Sequence, residues 1–127
     1  MKIIINESQL RLIIENEEKN LLDFTPFMYA DSDKWDNMFT HINKKKGGIY
    51  TGYYISGNLY LDSSKIKSLG NLESVGGNLN LYNTQIESLG NLESVGGDLY
   101  LRDTPLSDAT TEEELRSKIN VEGEILL

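Results

Sequence analysis

The stretch SLGNLESVGG occupies residues 68–77, and the same ten letters return at residues 88–97. A catalytic site needs its residues once, whereas a structural unit that stacks on its own copy needs the same letters at a fixed interval. The duplication therefore predicts a repeat protein with a period of twenty residues.

Aligned on this duplication, the middle of the chain divides into three rows at residues 49–68, 69–88 and 89–108. A fourth, partial row at residues 120–127 repeats the pattern after an insertion. Apolar residues recur at the same positions of each row, so like side chains should lie over like. The columns are Val75, Val95 and Val121; Leu59, Leu79, Leu99 and Ile125; and Leu61, Leu81, Leu101 and Leu127.

Within each row the alternation Leu-x-Leu has the period of two that places both leucines on one side of a short strand. Strands that recur once per row must run parallel. The leucines should therefore face the inside of a solenoid, and the residues between them should lie on an open sheet of about four strands. The back of each row, as in Leu69-x-x-Leu72-x-x-Val75, has a spacing of three that fits a short 3₁₀ or extended segment.

Small residues flank each predicted strand. Paired glycines at residues 76–77 and 96–97 precede it and should allow a sharp turn that a Cβ would obstruct. A hydroxyl column, Ser64, Thr84 and Thr104, follows it, and these side chains can bond to backbone groups left unpaired at the bend. We expect the hydroxyl column to hold successive rows in register.

The segments GGNLNLYNTQI (76–86) and GGDLYLRDTPL (96–106) resemble the pattern L-x-x-L-x-L-x-x-N-x-L of short, twenty-residue bacterial leucine-rich repeats. The resemblance covers residues 49–108 and part of residues 120–127, and it implies an α+β solenoid with a right-handed coil. Glycine replaces the first leucine of the pattern, Ser or Thr replaces its asparagine, and the convex half LGNLESV carries no proline. These departures leave the curvature open, and a left-handed or triangular β-solenoid is the alternative.

A helical cap is predicted at each end of the rows, because repeat stacks expose apolar edges. Residues 23–48 contain a linker and the first capping helix, which should begin at aspartate caps near residues 31–33 and end at the glycines 47–48. Its apolar stripe follows helical spacing and consists of Trp35, Met38, Phe39 and Ile42.

The second cap is predicted in residues 109–127. Thr110 or Thr111 should cap a helix that begins with three glutamates and carries inward-facing Leu115 and Ile119. A final strand at residues 124–127 should then close the sheet.

The opening MKIIINESQLRLIIENEEKNLL, residues 1–22, is typical of a short strand and a helix whose apolar side runs from Leu10 to Leu21. It resembles the amino-terminal segment shared by many short proteins of tailed bacteriophages, especially phages of Bacteroidota. The resemblance covers residues 1–18 and implies a phage protein with an N-terminal docking segment. The alternative is a helix that packs on the first row.

Composition limits the partners. The net charge of −8 and the pI near 4.6 disfavour nucleic acid and anionic membranes, which reward basic patches. The one basic run, residues 44–46, is typical of the last turn of a helix. The absence of cysteine excludes disulfides and zinc–thiolate sites. The sequence has no signal-peptide pattern and no long apolar run. Together with the phage resemblance, this implies a protein of the virion or the host-cell cytoplasm.

Residues that could carry chemistry do not converge on an active site. The only histidine, His41, lies near a predicted helix end, where it is typically a dipole partner rather than a base. Ser64 and Lys67 match Ser-x-x-Lys only weakly, and Asp31 with Asp33 lacks the rest of a calcium loop. We expect a protein that is not an enzyme and that uses no cofactor or metal.

The outward strand residues form a surface that another protein could bind. Tyrosine and arginine provide much of the energy at protein interfaces. The expected function is therefore that of a protein-binding module, and the phage resemblance implies a virion component or a host protein as partner. The alternatives are an acidic inhibitor of a host defence protein and, for the tyrosines, cross-strand packing without a partner. The predicted binding residues are Asn58, Tyr60, Asp62, Asn78, Asn80, Tyr82, Asp98, Tyr100 and Arg102.

Overall fold

The computed structural model describes residues 20–127 of the chain. The N-terminal segment predicted at residues 1–22 lies outside the described residues except for its last three positions. At those positions, Leu21 and Leu22 begin a strand that pairs in parallel with residues 52–54. The predicted continuation of a helix to Leu21 is wrong, because the backbone there pairs with a neighbouring strand instead of an earlier turn.

Within residues 20–127, nine short strands form two parallel sheets. The back sheet contains, in this order, β1 (Leu21–Asp23), β2 (Gly52–Ile55), β4 (Leu72–Val75), β6 (Ser94–Val95) and β8 (Asn120–Val121). The front sheet contains β3 (Leu59–Tyr60), β5 (Leu79–Asn80), β7 (Leu99–Tyr100) and β9 (Ile125–Leu126). The chain is thus a mixed α/β structure with short parallel strands and few helices.

The register of the strands follows the period of the sequence. Leu59 lies opposite Leu79, Leu79 opposite Leu99, and Leu99 opposite Ile125. On the back sheet, Val75 lies opposite Val95 and Val95 opposite Val121. These pairings confirm two of the three apolar columns that the sequence predicts, the Val75 column and the Leu59 column.

The back sheet is the main difference from the predicted single sheet of about four strands. The back of each row, for which the spacing fits a short 3₁₀ or extended segment, is extended at Leu72–Val75 and Ser94–Val95. These segments also pair in parallel with each other. The Gly96 N–H, for example, donates to the Val75 carbonyl at 2.8 Å. Because the period-two signal is confined to the Leu-x-Leu segments, the sequence does not reveal this second ladder.

One apolar core lies between the strands of the two sheets. Leu79, Leu81, Leu99 and Leu101 have no exposed surface, and each such burial stabilises the fold by about 1.5–3 kcal/mol. Leu127, in the last row of the predicted Leu61 column, is 37% exposed.

The first predicted capping helix is present. A 3₁₀ turn at Ser32–Lys34 leads into α1 (Trp35–Lys45), and two glycines with positive φ follow at residues 47–48. Trp35 and Phe39 are buried, with Met38 and Ile42 partly buried beside them. The expected capping by the Asp31 side chain is wrong, because that carboxylate makes no capping bond and lies 3.7 Å from Lys34 Nζ.

Aromatic rings fill the space between α1 and the first row. Tyr53 is 1% exposed and its ring centroid lies 4.6 Å from that of Phe24 and 5.2 Å from that of Phe39. Tyr53 takes the place opposite Leu72, because a bulge shifts the register between Tyr53 and Tyr54. A strict twenty-residue alignment misses this shift and therefore does not predict a buried Tyr53.

Two helices lie in the insertion before β8. The short helix α2 (Pro105–Ala109), which the sequence analysis does not predict, is capped by Thr104, whose Oγ1 accepts from the Ser107 N–H at 3.0 Å. The predicted C-terminal helix is α3 (Glu112–Lys118), where Thr111 Oγ1 accepts from the Glu114 N–H at 3.2 Å. Its Leu115 side chain and the following Ile119 are buried as predicted.

Arg116 of α3 covers the outer edge of β8. Inside the back sheet a carbonyl such as that of Val95 accepts from the next row, here from the Glu122 N–H at 3.0 Å. At β8, the Arg116 guanidinium donates to the Val121 and Gly123 carbonyls, both at 2.9 Å. The Glu112 carboxylate accepts a further hydrogen bond from Arg116 Nε at 3.0 Å. The side chain thus supplies donors where another strand would otherwise be needed.

Candidate functional site

The predicted binding residues lie on the outward side of the front sheet, which we call the front face. It consists of three columns, two with a residue in each of the four rows and one with a residue in the first three rows. In the middle column Tyr60 lies opposite Asn80, Asn80 opposite Tyr100, and Tyr100 opposite Leu126. Tyr60 is 62% exposed. The outer columns are Asn58, Asn78, Asp98 and Glu124 on one side and Asp62, Tyr82 and Arg102 on the other.

The first outer column forms a ladder of hydrogen bonds between rows. Asn58 Oδ1 accepts from the backbone N–H of Asn78, Asn78 Oδ1 from that of Asp98, and Asp98 Oδ1 from that of Glu124. Each of the three bonds is 2.8 Å long. These side chains therefore hold the rows in register, a role that the sequence analysis does not predict for them.

The ladder explains the glycine that precedes each of its rungs. A Cβ on Gly77 would collide with Asn58 Oδ1, and a Cβ on Gly97 would collide with Asn78 Oδ1. Gly57, in the first row, has open space where its Cβ would be. Glycine at this position makes room for the amide oxygen of the row before, in addition to shaping the turn.

The hydroxyl column acts within rows. Thr84 Oγ1 donates to the Leu81 carbonyl at 2.8 Å, and Thr104 Oγ1 donates to the Leu101 carbonyl at 2.7 Å. Ser64 Oγ is buried and has no hydrogen-bond partner. The expectation that this column holds the rows together is wrong, because the Thr84 and Thr104 hydroxyls bond to backbone groups of their own rows. The ladder column links one row to the next.

Four predicted binding residues meet in one concavity of the front face. Asn80, Tyr82, Tyr100 and Arg102, together with Leu126, line a cavity of about 310 Å³. Tyr82 is 46% exposed, and the Arg102 side chain is also exposed. We call this concavity the tyrosine–arginine cavity.

Hydrogen bonds fix the position of two groups in this cavity. Asn80 Oδ1 accepts from the Tyr82 backbone N–H at 3.0 Å. The Tyr100 hydroxyl donates to Asp98 Oδ2 at 3.4 Å, and loss of solvation together with this carboxylate raises the pKa of Tyr100. Tyr100 therefore remains a neutral donor at physiological pH.

A second concavity lies between the segment at residues 28–33 and the first row. Its volume is about 690 Å³, and its lining includes Tyr29, Tyr60 and Asp62. Tyr60 and Asp62 are predicted binding residues. Tyr29 is 87% exposed, and the sequence analysis misses it because it lies outside the repeated rows and belongs to no apolar stripe.

A polar link ties α1 to the rows beneath it. The Tyr53 hydroxyl donates to Asp36 Oδ1 at 2.8 Å, and the Asn71 backbone N–H donates to the same oxygen at 3.2 Å. Burial, with Asp36 contributing further, raises the pKa of Tyr53. A Cβ on Gly70, whose φ is +56°, would collide with the Asp36 carboxylate. We assign this link a structural role.

Within residues 20–127, no group of three or more His, Asp or Glu side chains is arranged to hold a metal ion. No helix in that range has the length and apolar character needed to span a membrane. His41 is exposed on α1, and Ser64 Oγ is covered. Comparisons with protein-family models, curated proteins and solved structures find no match to this chain.

Proposed function

We propose that the chain is a leucine-rich-repeat-like, right-handed solenoid that acts as a non-enzymatic protein-binding module. Three features support the solenoid. Strands pair with partners twenty residues away, as in Leu79 with Leu99. Each row contributes one strand to each sheet. The leucine and valine columns, apart from Leu127, belong to one core, as expected for units that bury their apolar faces against their neighbours.

The tyrosine–arginine cavity is the observation that carries the binding proposal. Tyr82, Tyr100 and Arg102 combine large apolar bodies with polar ends, the side-chain types that dominate binding energy at protein interfaces. Leu126 adds an apolar contact at the same place. A partner side chain inserted there would be shielded from water on several sides.

The ladder column supports the same proposal through rigidity. Because the oxygens of Asn58, Asn78 and Asp98 fix successive rows, the neighbouring columns are held at the strand spacing of about 4.8 Å. Side chains on such a scaffold lose little backbone freedom on binding, so more of the contact energy remains as affinity.

Affinity capture tests the binding proposal. The immobilised full chain captures its partner from a lysate of phage-infected host cells, and a Tyr82→Ala/Tyr100→Ala variant should capture about ten-fold less. Ile49→Ala, which truncates a 58% exposed side chain just before β2 of the back sheet, is the control and should capture normally. Undiminished capture by the folded double variant would contradict the proposal.

We further propose that the protein is phage-encoded and associated with the virion, on the basis of the N-terminal resemblance at residues 1–18. Mass spectrometry of purified virions tests this origin and location. Peptides of the chain should accompany the structural proteins of the particle. Their absence at high sequence coverage, together with capture of a host protein, would instead favour the acidic inhibitor.

A further inference from the structure

The groove between residues 28–33 and the first row differs in chemistry from the rest of the front face. Tyr29 at 87% and Tyr60 at 62% are the most exposed large apolar side chains of the described chain, and both line this groove. Exposed aromatic faces are costly to leave in water and are typical of contact surfaces.

The charge in the groove is predominantly negative. Three carboxylates, those of Asp31, Asp33 and Asp62, line it beside one ammonium group, that of Lys65. Asp31 lies 3.7 Å from Lys34 Nζ, but both side chains are more than two-thirds exposed, so this pair is weak. Within residues 20–127, neither Asp33 nor Asp62 is held in an ion pair.

We infer that the groove binds an arginine side chain of the partner protein. A guanidinium group stacks on tyrosine rings through cation–π attraction, and its planar fork donates paired hydrogen bonds to carboxylates. Tyr29 and Tyr60 provide the rings, and the aspartates provide the acceptors. Lysine fits less well, because its compact ammonium group is strongly hydrated and lacks the fork.

This inference rests on the proposed function, since Tyr60 and Asp62 belong to the front face. It adds a chemical requirement for the partner: an arginine located at the end of the interface nearest α1. The carboxylates of the groove repel an anionic partner group. The tyrosine–arginine cavity differs, because its charged side chain is the cationic Arg102.

A peptide titration followed by NMR tests the inference directly. The probe is acetyl-Gly-Ser-Arg-Ser-Gly-amide, and the control peptide carries citrulline, a neutral isostere, in place of arginine. The arginine peptide should shift the backbone amide signals of residues 28–33 and 60–66 in a saturable manner. The affinity of the citrulline peptide should be lower by a factor of about five or more. Equal shifts with both peptides, or equal shifts at the acidic start of α3, would overturn the inference.

Variants separate the groove from general attraction to an acidic protein. Tyr29→Ala and Asp33→Asn change exposed side chains, so folding should be retained, and each should weaken binding of the arginine peptide about three-fold or more. Tyr82→Ala is the matched control and should bind the peptide as the wild type does. Wild-type affinity in both groove variants would overturn the inference.

The two proposals fail separately. If the arginine peptide does not bind but Tyr82→Ala/Tyr100→Ala still captures about ten-fold less partner, the groove inference is wrong and the front-face proposal stands. If the peptide binds but Tyr82→Ala/Tyr100→Ala captures the partner normally, the groove inference stands and the proposal that the tyrosine–arginine cavity contacts the partner is wrong.

Discussion

The side-chain oxygen of Asn78 accepts a hydrogen bond from the backbone N–H of Asp98 at 2.8 Å, twenty residues later in the chain. The same relation recurs between Asn58 and Asn78. A buried or partly buried backbone N–H needs a partner, and here the previous row provides it through a side chain. The register of the front sheet is therefore set by side chains as well as by strand pairing.

Asn78→Ala should lower the free energy of unfolding by about 1–3 kcal/mol, because it leaves the Asp98 N–H without an acceptor. Urea denaturation followed by circular dichroism measures the change. Asn37→Ala, on the exposed side of α1, should alter stability by less than about 0.5 kcal/mol. Equal effects of the two substitutions would show that the ladder does not stabilise the fold.

Two glycines at equivalent positions should respond differently to alanine. Gly97→Ala places a Cβ against Asn78 Oδ1 and the Asn78 backbone nitrogen, and should destabilise by about 1–3 kcal/mol. Gly57→Ala meets no atom within 4 Å and should be neutral or stabilise by up to about 1 kcal/mol. The midpoint of urea unfolding distinguishes them, and a Gly97→Ala protein as stable as Gly57→Ala would contradict the account of the ladder.

Leu81→Ala should lower the free energy of unfolding by about 2–5 kcal/mol, since its side chain is fully buried in the core of the rows. Leu127→Ala removes a side chain of the same column that is 37% exposed, and should cost less than about 1 kcal/mol. Thermal or urea unfolding of the two variants measures the contrast, and a reversed order would place the core elsewhere.

Tyr53 should make stability fall at high pH. Its pKa is raised in the folded state, so its neutral form is favoured there, and the contribution is complete below the unfolded pKa of 10.0. Above that pH the Tyr53 hydroxyl ionises in the unfolded chain while it stays neutral in the folded protein. The free energy of unfolding therefore falls by about 1.4 kcal/mol per pH unit. Measured between about pH 9 and 11, the loss should be smaller in Tyr53→Phe than in the wild type. Parallel pH profiles would contradict this assignment.

The apolar periodicity predicts the core columns, because stacked rows that bury equivalent side chains against each other need the same residue types at a fixed interval. The pairing of Leu79 with Leu99 and the capping helix around Trp35 and Phe39 could be predicted for this reason. The second sheet could not, because its backbone pairing leaves no alternating pattern in segments such as Leu72–Val75.

The roles of polar residues were harder to predict. An asparagine at an outward position, such as Asn78, could bind a partner protein or the next row, and the sequence does not distinguish these roles. The distance of its Oδ1 from the Asp98 N–H shows that it binds the next row. Tyr53 escapes a twenty-residue alignment because the bulge in β2 moves it by one position. Tyr29 lies in a segment without repeats, so only its place beside Tyr60 indicates a site.

The stacking of rows twenty residues apart is tested most directly by cross-linking, since the chain contains no cysteine. Asn80 and Tyr100 are register partners, so their Cα atoms lie about 5 Å apart, within disulfide range. Asn80 and Arg102 are offset by two residues, about 8 Å, beyond that range. Under mild oxidation, Asn80→Cys/Tyr100→Cys should form an intramolecular disulfide, detected by peptide mapping, while Asn80→Cys/Arg102→Cys should not. Efficient bridging in the offset pair and none in the register pair would contradict the account.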